Sequence, residues 1–532
     1  MRLQQTAQLL ACAAIATILA ANPGICAAQQ TSPHVFFRIR LESTTAKPLS
    51  GRLLVFLKPG KGDTEVNLQE FHPGQENQQT WVAAQEVRDL APGSTVEFDA
   101  DQIAYPDPFS ALPPGDYEVQ AVLDTEHTYN YSGRTPSDWI SPVATLTQWT
   151  PESPETTLTL NGHPSEDPQR QAALAKAMQQ VQPGQIERQE MLSPLLTRFS
   201  GNATSIRAWV ILPPGYAGGT QQRYPTVYFT HGFGAGMDYN LIMGEMIRER
   251  MVQGKMPPMI WVMLDESCPE GTHEFADSVN DGPWGTALTT EFIPMLEQTY
   301  RMDATRNGRF LNGHSSGGWA TLQLQIDYPG IFGGTWSTSP DPSDFHNFTG
   351  PDLYAPHANV YHRPDGTAYP IMRIDGKVVA TIEQFAKTEA VLGPYGGQMT
   401  SFDWVFSPRS PGGAPMPMFD RATGDVNPVV VAYWHDHFDL AHLVEQEWPK
   451  DGPLLKDRIH LFVGTADTFY LDGSARLFEA RLTRLGADAH FNFIPGRSHF
   501  DLYRVEQDRY GLFDQIAAEM YAVARPGVNW TK

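Results

Sequence analysis

Cysteine is nearly absent from this sequence. Three cysteines occur among 532 residues, at Cys12, Cys26 and Cys268. The first two fall in an N-terminal segment that we expect to be removed, as argued below, so the mature chain would contain one thiol and could form no internal disulfide. Cys268 stands beside Pro269, and we interpret it as an inert thiol rather than a nucleophile.

Positive charge is scarce as well. Lysine and arginine together number 38, against 60 aspartates and glutamates, which gives a formal net charge of −22. Nucleic acids and anionic membrane surfaces repel such a chain, so neither is predicted as a partner. The simplest interpretation of this charge is solubility.

Long apolar runs are also missing. One apolar stretch, Leu9–Ala21, follows Arg2 and ends before Asn22-Pro23-Gly24. It is shorter than the ~20 residues that a membrane-spanning helix needs. Small residues follow at Cys26-Ala27-Ala28, as is typical of a signal-peptide cleavage site. Residues 1–28 are therefore predicted to be a secretory signal peptide, which implies a secreted or periplasmic protein without a stable membrane anchor.

The length of the chain predicts more than one domain. Residues 29–161 contain runs with period-two alternation, such as Gly115–Val122, separated by turns such as Pro92-Gly93. This pattern predicts a smaller all-β, sandwich-like domain. Its role stays open between substrate binding, oligomer contact and covering of the next domain. Residues 162–202 are polar and rich in glutamine, so we interpret them as a linker or strap.

From residue 203 to 532 strands and helices alternate, which predicts an α/β domain with a mostly parallel sheet covered on both faces. Residues from about 340 to 430 interrupt this alternation and are rich in proline and glycine. We interpret this insertion either as a cap over the site or as a surface elaboration with its own small core. Its aromatic side chains include Tyr354, Tyr361, Tyr369, Tyr395, Phe402, Trp404 and Phe406.

One motif has the form G-x-S-x-G. The segment Gly313–Gly318 lies between the apolar residues Phe310-Leu311 and a helical pattern that Pro329-Gly330 ends. Strand, sharp turn and helix are the context of a nucleophile elbow, in which glycines let the backbone turn tightly and expose the serine. Ser315 is therefore the predicted nucleophile. Without support from other segments, the motif would fit a glycine-rich turn equally well.

A serine nucleophile needs a base within hydrogen-bond reach and an acid that orients the base. In the α/β-hydrolase arrangement the order along the chain is serine, acid, histidine. Asp467 follows the apolar strand Ile459–Val463, and His499 comes 32 residues later (499 − 467), after the next strand. Parallel strands bring such loops to one edge of the sheet, so Asp467 is the predicted acid and His499 the predicted base. Asp341 and Asp472 are the competing carboxylates.

The negative charge that develops on an attacked carbonyl oxygen needs preorganised N–H donors. The residue after the nucleophile supplies one of them in an elbow, here the backbone N–H of Ser316. The second is predicted in the loop His231–Gly234, at the backbone N–H of Phe233. A plain glycine turn is the competing interpretation of that loop.

No metal centre is predicted. His435, Asp436, His437 and Asp439, together with His442, have a spacing that would suit a metal. However, no second ligand cluster is evident, and serine chemistry requires no metal. Because a helix pattern begins after Asp439, we prefer to interpret the cluster as a solvated helix end. No cofactor is predicted.

With these residues identified, residues from about 203 to 522 resemble the esterase D and feruloyl-esterase branch of the α/β-hydrolases. This branch also includes enterochelin esterases and mycolyltransferases. The resemblance implies serine-dependent ester hydrolysis without a cofactor, with Ser315, Asp467 and His499 at the matching positions. The β region and the insertion depart from the minimal family pattern. The matching segments are Leu212–Tyr216, His231-Gly232, Asp277–Trp284, Phe292–Pro294, Gly313–Gly318, Tyr328-Pro329, Phe332-Gly333, Gly464–Asp467, Pro495-Gly496 and His499.

The predicted function is a secreted serine carboxylic-ester hydrolase that acts through an acyl-enzyme on a small-molecule or carbohydrate ester. Secretion, the β region and the aromatic insertion suggest hydroxycinnamoyl esters of carbohydrates. The alternatives are acyl transfer to a sugar, siderophore-ester cleavage, and an inactive binding protein on a hydrolase scaffold. The sequence does not determine the oligomeric state.

Overall fold

A computed structural model describes residues 34–62, 65–66, 80–127, 135–165, 167–217, 221–393 and 397–530. The predicted signal peptide, residues 1–28, and the insertion residue Tyr395 lie outside these ranges. Within them, no helix is both long enough and apolar enough to cross a membrane.

The described residues from 34 to 160 form strands in two sheets. One sheet has the strand order β4-β1-β9, and the other has the order β5-β3-β2-β6-β7 with β8 also paired to β6. Apolar side chains from both sheets form one buried cluster, to which β1, β2 and β6 contribute alternate residues. The strands are β1 Phe36–Leu41, β2 Leu49–Pro59, β3 Trp81–Leu90, β4 Thr95–Asp99, β5 Ala104–Tyr105, β6 Gly115–Asp124, β7 Trp139–Ile140, β8 Ala144–Trp149 and β9 Thr156–Leu160.

The rest of the chain alternates helices and strands. A single π-helical turn, Leu288–Phe292, connects α4 to α5. The elements are α1 Pro168–Met178, β10 Ile186–Leu192, α2 Pro194–Ser200, β11 Ser205–Ile211, β12 Thr226–Thr230, α3 Met237–Val252, β13 Ile260–Leu264, β14 Ser267–Cys268, β15 Gly271–Thr272, β16 Asp277–Ser278, β17 Gly282–Pro283, α4 Trp284–Ala287, α5 Ile293–Thr299, β18 Arg309–His314, α6 Ser316–Asp327, β19 Thr335–Thr338, β20 Pro370–Ile374, β21 Lys377–Thr381, α7 Ile382–Leu392, α8 Gln398–Phe406, α9 Pro428–Phe438, α10 Leu440–Leu455, β22 Ile459–Gly464, α11 Asp472–Leu485, β23 His490–Ile494 and α12 Gly511–Ala524.

A central sheet of eight strands has the order β10-β11-β13-β12-β18-β19-β22-β23. In this order, the strands from β13 to β23 run parallel to one another. At one edge of the sheet, β11 pairs antiparallel with both β13 and β10. Successive side chains of β13 pack into two different cores, one on each face of the sheet. Trp261 and Met263 pack with α3 and α12, whereas Val262 and Leu264 pack with α4 and α5. The mostly parallel sheet covered on both faces, predicted from the alternating pattern, is therefore present.

The edge strand β10 lies inside residues 162–202, which the sequence analysis interpreted as a linker or strap. Its sequence, IERQEML, alternates partly buried and exposed residues after Ile186. Strands at a sheet edge keep one side in contact with water, so they carry polar residues and lack the continuous apolar run of a central strand. The polar composition of residues 162–202 therefore gave no indication of β10, which belongs to the central sheet.

The insertion shares its core with the central sheet, in contrast to the small core of its own that was one expectation. Tyr361, Phe402 and Phe406 are buried in the same cluster as Trp319 on α6 and Leu461 on β22. These three aromatic side chains thus pack in the core that includes α6, and they are not free to line a substrate pocket.

The β region and the insertion also pack against each other. Leu54 and Phe56, on the second face of β2, form a cluster with Val391 and Leu392 of α7. The guanidinium of Arg52 donates hydrogen bonds to the carbonyl of Val391, at 2.7 and 3.1 Å. Since β2 is covered on both faces, its middle residues read as a continuous apolar run rather than an alternating one.

Candidate active site

Ser315 stands at the sharp turn between β18 and α6. Its backbone has φ 60° and ψ −126°, a conformation that is strained for any residue with a Cβ. Two glycines make the turn possible: a Cβ on Gly313 would lie 2.1 Å from the Gly317 carbonyl oxygen, and a Cβ on Gly317 would lie 2.2 Å from the His231 carbonyl oxygen. The turn therefore requires glycine at both positions and holds the serine out from the strand end.

The loops after β22 and β23 bring an acid and a histidine together. The Nδ1 atom of His499 lies 3.0 Å from Oδ2 of Asp467. Both side chains are almost fully buried, with 4% exposure for His499 and none for Asp467. Parallel strands end at the same edge of the sheet, so this pair and Ser315 all lie at the carboxyl ends of neighbouring strands.

Asp467 is held as a carboxylate. Its Oδ1 accepts hydrogen bonds from the backbone N–H of Phe469 at 2.9 Å and of Leu471 at 3.4 Å. Burial alone would favour the neutral acid, but the charge of His499 and the hydrogen bond to it outweigh burial, so the pKa of Asp467 lies below its ordinary value. An ionised Asp467 can fix the tautomer of the imidazole and stabilise its protonated form.

The competing carboxylates have other partners. Asp341 accepts a hydrogen bond from the Ser316 hydroxyl at 2.7 Å and from the Gln398 amide at 3.3 Å. Burial raises the pKa of Asp341 to about 6, although the hydrogen bond from Ser316 opposes the shift. Asp472 accepts from Arg373 at 3.0 Å. Of the three candidates, Asp467 is the carboxylate with a hydrogen bond to His499.

The loop His231–Gly234 lies against Ser315. A Cβ on Gly232 would sit 3.0 Å from the Ser315 Cβ and 3.6 Å from its Oγ, so a larger residue at this position would crowd the serine. The Nδ1 atom of the fully buried His231 lies 2.9 Å from the Gly232 carbonyl oxygen, a contact that ties this carbonyl to a fixed side chain. Ser316 is the first residue of α6, so its N–H has no acceptor within the helix. Phe233 is the next residue of the loop after Gly232, and Ser316 directly follows Ser315, so their backbone N–H groups stay the candidate oxyanion donors.

His314, directly before the nucleophile, lies beside the candidate base. Its ring centroid is 4.5 Å from that of His499 and 5.5 Å from that of Tyr503. Burial, together with the neighbouring His499, lowers the pKa of His314 to about 3. His314 is therefore neutral at physiological pH, and it places no second positive charge next to an imidazole that must accept a proton.

Arg373, which no sequence pattern indicated, comes from the insertion and holds the loop of the candidate acid. Its Nε donates to the Asp467 carbonyl at 2.8 Å, and its Nη2 donates to the Thr465 carbonyl at 3.2 Å and to Asp472 at 3.0 Å. The guanidinium also lies 4.4 Å from the ring centroid of Tyr470. A single arginine about 90 residues before its contacts leaves no local sequence signal, because the contact exists only once the chain has folded.

The histidine-rich segment lies where α9 ends and α10 begins. Asp439 caps α10 by accepting the backbone N–H of His442 at 3.1 Å, as the helix-end interpretation predicted. Potential ligand atoms of His435, Asp436 and His442 lie within 4.8 Å of one another, whereas His437 Nδ1 lies 2.8 Å from the Tyr433 carbonyl oxygen. A second such trio, Asp344, His346 and Asp439, adjoins it, and its carboxylates accept hydrogen bonds from backbone N–H groups and from Tyr354.

An elbow serine at one strand end, with an acid–histidine pair at two further strand ends of a mostly parallel sheet, is the arrangement of an α/β-hydrolase. The chain belongs to the Esterase family: residues 202–499, more than half of its length, match the family model described as "Putative esterase".

Curated relatives match part of the chain. The esterase Rv1288 of Mycobacterium tuberculosis is 32% identical over 136 residues, which are 24% of this chain and 28% of the relative. The endo-1,4-beta-xylanase/feruloyl esterase of Xylanibacter ruminicola is 28% identical over 130 residues, which are 23% of this chain and 18% of the relative. The matched segment therefore spans less than a third of either relative.

Solved structures with a related chain path include two ferulic acid esterases. One covers 64% of this chain and 97% of its own at 13% identity, with a TM-score of 0.41. The other, from Anaeromyces mucronatus in complex with ferulic acid, covers 63% of this chain and 92% of its own at 15% identity, with a TM-score of 0.34.

Proposed function

We propose that this protein is a secreted serine carboxylic-ester hydrolase that works through an acyl-enzyme. The observation that carries the proposal is the buried His499–Asp467 hydrogen bond of 3.0 Å at the same sheet edge as the strained Ser315. A serine hydroxyl is a poor nucleophile by itself, and a base with an orienting carboxylate is what activates it. Membership of the Esterase family supports ester hydrolysis as the reaction.

The proposed reaction begins when Ser315 Oγ attacks the ester carbonyl carbon while His499 Nε2 accepts the hydroxyl proton. The carbonyl oxygen becomes negatively charged and is stabilised by the backbone N–H groups of Phe233 and Ser316. The C–O bond to the alcohol then breaks, and His499 returns the proton to the leaving oxygen. Water, activated by His499, hydrolyses the resulting ester of Ser315, and the acid product leaves.

We propose hydroxycinnamoyl esters of carbohydrates as the substrate class. The relative from Xylanibacter ruminicola carries the name of a feruloyl esterase, and the predicted signal peptide would bring the enzyme to extracellular or periplasmic substrates. Acyl transfer to a sugar and cleavage of a siderophore ester use the same serine chemistry and remain the alternatives within the enzyme class. An inactive binding protein would have no physical need for the strained elbow of Ser315.

The experiment that tests this proposal measures ester hydrolysis with product identification. The full chain is incubated with 4-nitrophenyl acetate, ethyl ferulate and a triester siderophore, with and without an added sugar as acceptor. Release of ferulic acid without a sugar ester as product supports the proposed hydrolase. Formation of a new sugar ester would favour acyl transfer, and the absence of turnover on every ester would favour the binding protein.

The domain assignment of residues 29–161 is also a proposal. We propose that they form an accessory domain that is outside the chemistry, because Ser315, Asp467, His499 and the oxyanion loop all come after residue 202. The contact between β2 and α7 would anchor this domain to the catalytic part through the insertion.

Removal of metal ions is expected to leave ester hydrolysis unchanged. The proposed oxyanion donors are backbone amides and the nucleophile is activated by an imidazole, so no step requires a Lewis acid. The measurement is the rate of 4-nitrophenyl acetate hydrolysis before and after exhaustive dialysis against a chelator. Loss of activity that zinc restores would contradict this expectation and assign a role to the His435, Asp436 and His442 trio.

Arg373→Ala is expected to lower kcat by about 10- to 100-fold, because loss of its hydrogen bonds frees the loop that positions Asp467 and small displacements of a catalytic group are costly. Arg373→Lys should recover little of this loss, since an ammonium cannot reproduce the fork of the guanidinium. A double-mutant cycle distinguishes positioning of Asp467 from general destabilisation. In a chain that already carries Asp467→Asn, Arg373→Ala should lower kcat little further.

The matched control for this variant is Arg363→Ala. Arg363 is another insertion arginine stacked on a tyrosine, 4.3 Å from the ring centroid of Tyr369, and its hydrogen bonds stay within the segment 363–368. It should leave kcat within about two-fold, as expected of a surface substitution away from the site. Equal losses in both arginine variants would show that Arg373 acts through the stability of the insertion.

A further inference from the structure

A pair of phenylalanines lies beside the candidate base. Phe469 follows the acid Asp467, and Phe500 follows His499 directly. Their ring centroids lie 5.0 and 5.4 Å from the His499 ring and 5.9 Å from each other, with the planes nearly perpendicular. The two phenylalanine rings and the imidazole are therefore in mutual contact, and we name the two phenylalanine rings the Phe469–Phe500 surface.

The exposure of Phe500 distinguishes it from the other apolar side chains. It is 70% exposed, the largest value for a large hydrophobic residue in the described part of the chain, whereas the adjoining His499 is 4% exposed. Leaving an aromatic ring in water forgoes the gain of burying it, so an exposed aromatic is unusual where it adjoins a buried titratable pair. Its perpendicular contacts with Phe469 and His499 hold the ring in place, while 70% of the residue stays accessible to solvent.

The proposed reaction determines which part of an ester would meet this surface. His499 must return its proton to the leaving oxygen, so the alcohol part of the substrate has to lie within hydrogen-bond reach of the imidazole. The carbonyl oxygen points the other way, toward Phe233 and Ser316. Because the Phe500 ring lies 5.4 Å from the His499 ring, it is close to the place that the alcohol part of the substrate must occupy.

We propose that the Phe469–Phe500 surface is a binding subsite for the alcohol part of the substrate and selects alcohols that carry a ring with an apolar face. This inference rests on the proposed function, and it adds that the protein recognises the alcohol part of the ester. An aromatic face packs against the C–H face of a sugar ring or against an aryl ring, whereas a short alkyl alcohol leaves most of the surface uncovered. The acyl part plays no role in this selection.

The test compares three acetate esters of primary alcohols, so that the acyl group is constant. They are ethyl acetate, benzyl acetate and methyl 6-O-acetyl-glucopyranoside, and acetic acid release is followed by titration at constant pH. For each ring ester the selectivity is its kcat/KM divided by that of ethyl acetate. Phe500→Ala should lower this ratio by about 3- to 10-fold, the scale of one aromatic contact, mainly through KM.

Two further variants keep the test specific. Phe500→Trp retains a flat aromatic face and should preserve the selectivity ratio. Val429→Ala removes a similarly exposed apolar side chain, 67% exposed on α9, and should leave the ratio unchanged. A loss confined to the sugar ester identifies a carbohydrate alcohol, and a loss confined to benzyl acetate identifies an aryl alcohol; both support the subsite.

Several outcomes would overturn the inference. An equal loss on all three esters would mean that Phe500 acts by holding His499, and an unchanged ratio would mean that the ring contacts nothing in the substrate. A lower molecular mass of Phe500→Ala by light scattering would mean that a second copy of the chain covers the surface. If the unaltered protein hydrolysed none of the three esters but did hydrolyse 4-nitrophenyl acetate or ethyl ferulate, the inference would fail while the proposed function stood. Inactivity on all of these esters would refute the proposed function, and the inference with it.

Discussion

Replacing Ser315 by alanine is expected to lower kcat by about 10⁶-fold, because the nucleophile is lost and no neighbouring group can take its place. Alanine keeps the Cβ, so the φ of 60° at this position is strained to the same degree in both proteins. Folding should therefore be unaffected, with an unchanged melting temperature and circular dichroism spectrum. The measurement is turnover of 4-nitrophenyl acetate under saturating conditions.

The double variant provides a sharper form of the same test. His499→Ala alone should cost about as much as Ser315→Ala, and combining the two should add little, because serine and base act as one unit. The control is Ser200→Ala, which removes an exposed serine hydroxyl at the end of α2 and should keep full activity. Wild-type turnover by the Ser315→Ala protein would refute the assignment of the nucleophile.

Replacing Asp467 by asparagine is expected to lower kcat by about 10⁴-fold. The amide is nearly the same size as the carboxylate, but it cannot stabilise the imidazolium, and its NH₂ group favours the wrong tautomer of His499. KM should change much less than kcat, since the Asp467 side chain is fully buried and makes no proposed contact with the substrate. Steady-state kinetics on one soluble ester separates the two parameters.

Asp341→Asn is the matched comparison for this variant. The asparagine oxygen can still accept the hydrogen bond that the Ser316 hydroxyl donates at 2.7 Å, so the loss should stay below about ten-fold. The reverse ranking of the two variants would assign the acid to the strand after the elbow helix. It would also require His499 to turn away from Asp467 in the working enzyme.

Much of the central sheet could be predicted because its strands are buried on both faces. Met259–Leu264 is a continuous apolar run and Ile459–Val463 is apolar except for His460, and the structure has strands at Ile260–Leu264 and Ile459–Gly464. The edge strand β10 was not predicted, since one of its sides is exposed to water and its residues are mostly polar. The interpretation of 162–202 as a linker followed from that polarity.

The insertion was the least predictable part of the chain. Its aromatic residues suggested substrate contacts, but Tyr361, Phe402 and Phe406 pack against α6 and β22 instead. The composition of a segment indicates that it can bury apolar surface, but it does not indicate which other elements that surface packs against. Arg373 and Gln398 reach the site from the same insertion, and both are polar residues without any motif around them.

What the sequence determined by itself is the local chemistry of the candidate site. The G-x-S-x-G turn, the glycine loop at 231–234, and the aspartate and histidine that follow two successive apolar strands are short-range patterns, and each depends on the backbone within a few residues. What only the tertiary structure decided is which of these residues meet. The hydrogen bond from His499 goes to Asp467 and not to Asp341, Arg373 holds the loop of the acid, and Phe500 stays exposed beside the base. Such contacts join residues far apart in the chain, and their geometry follows from the packing of the whole core rather than from any single segment.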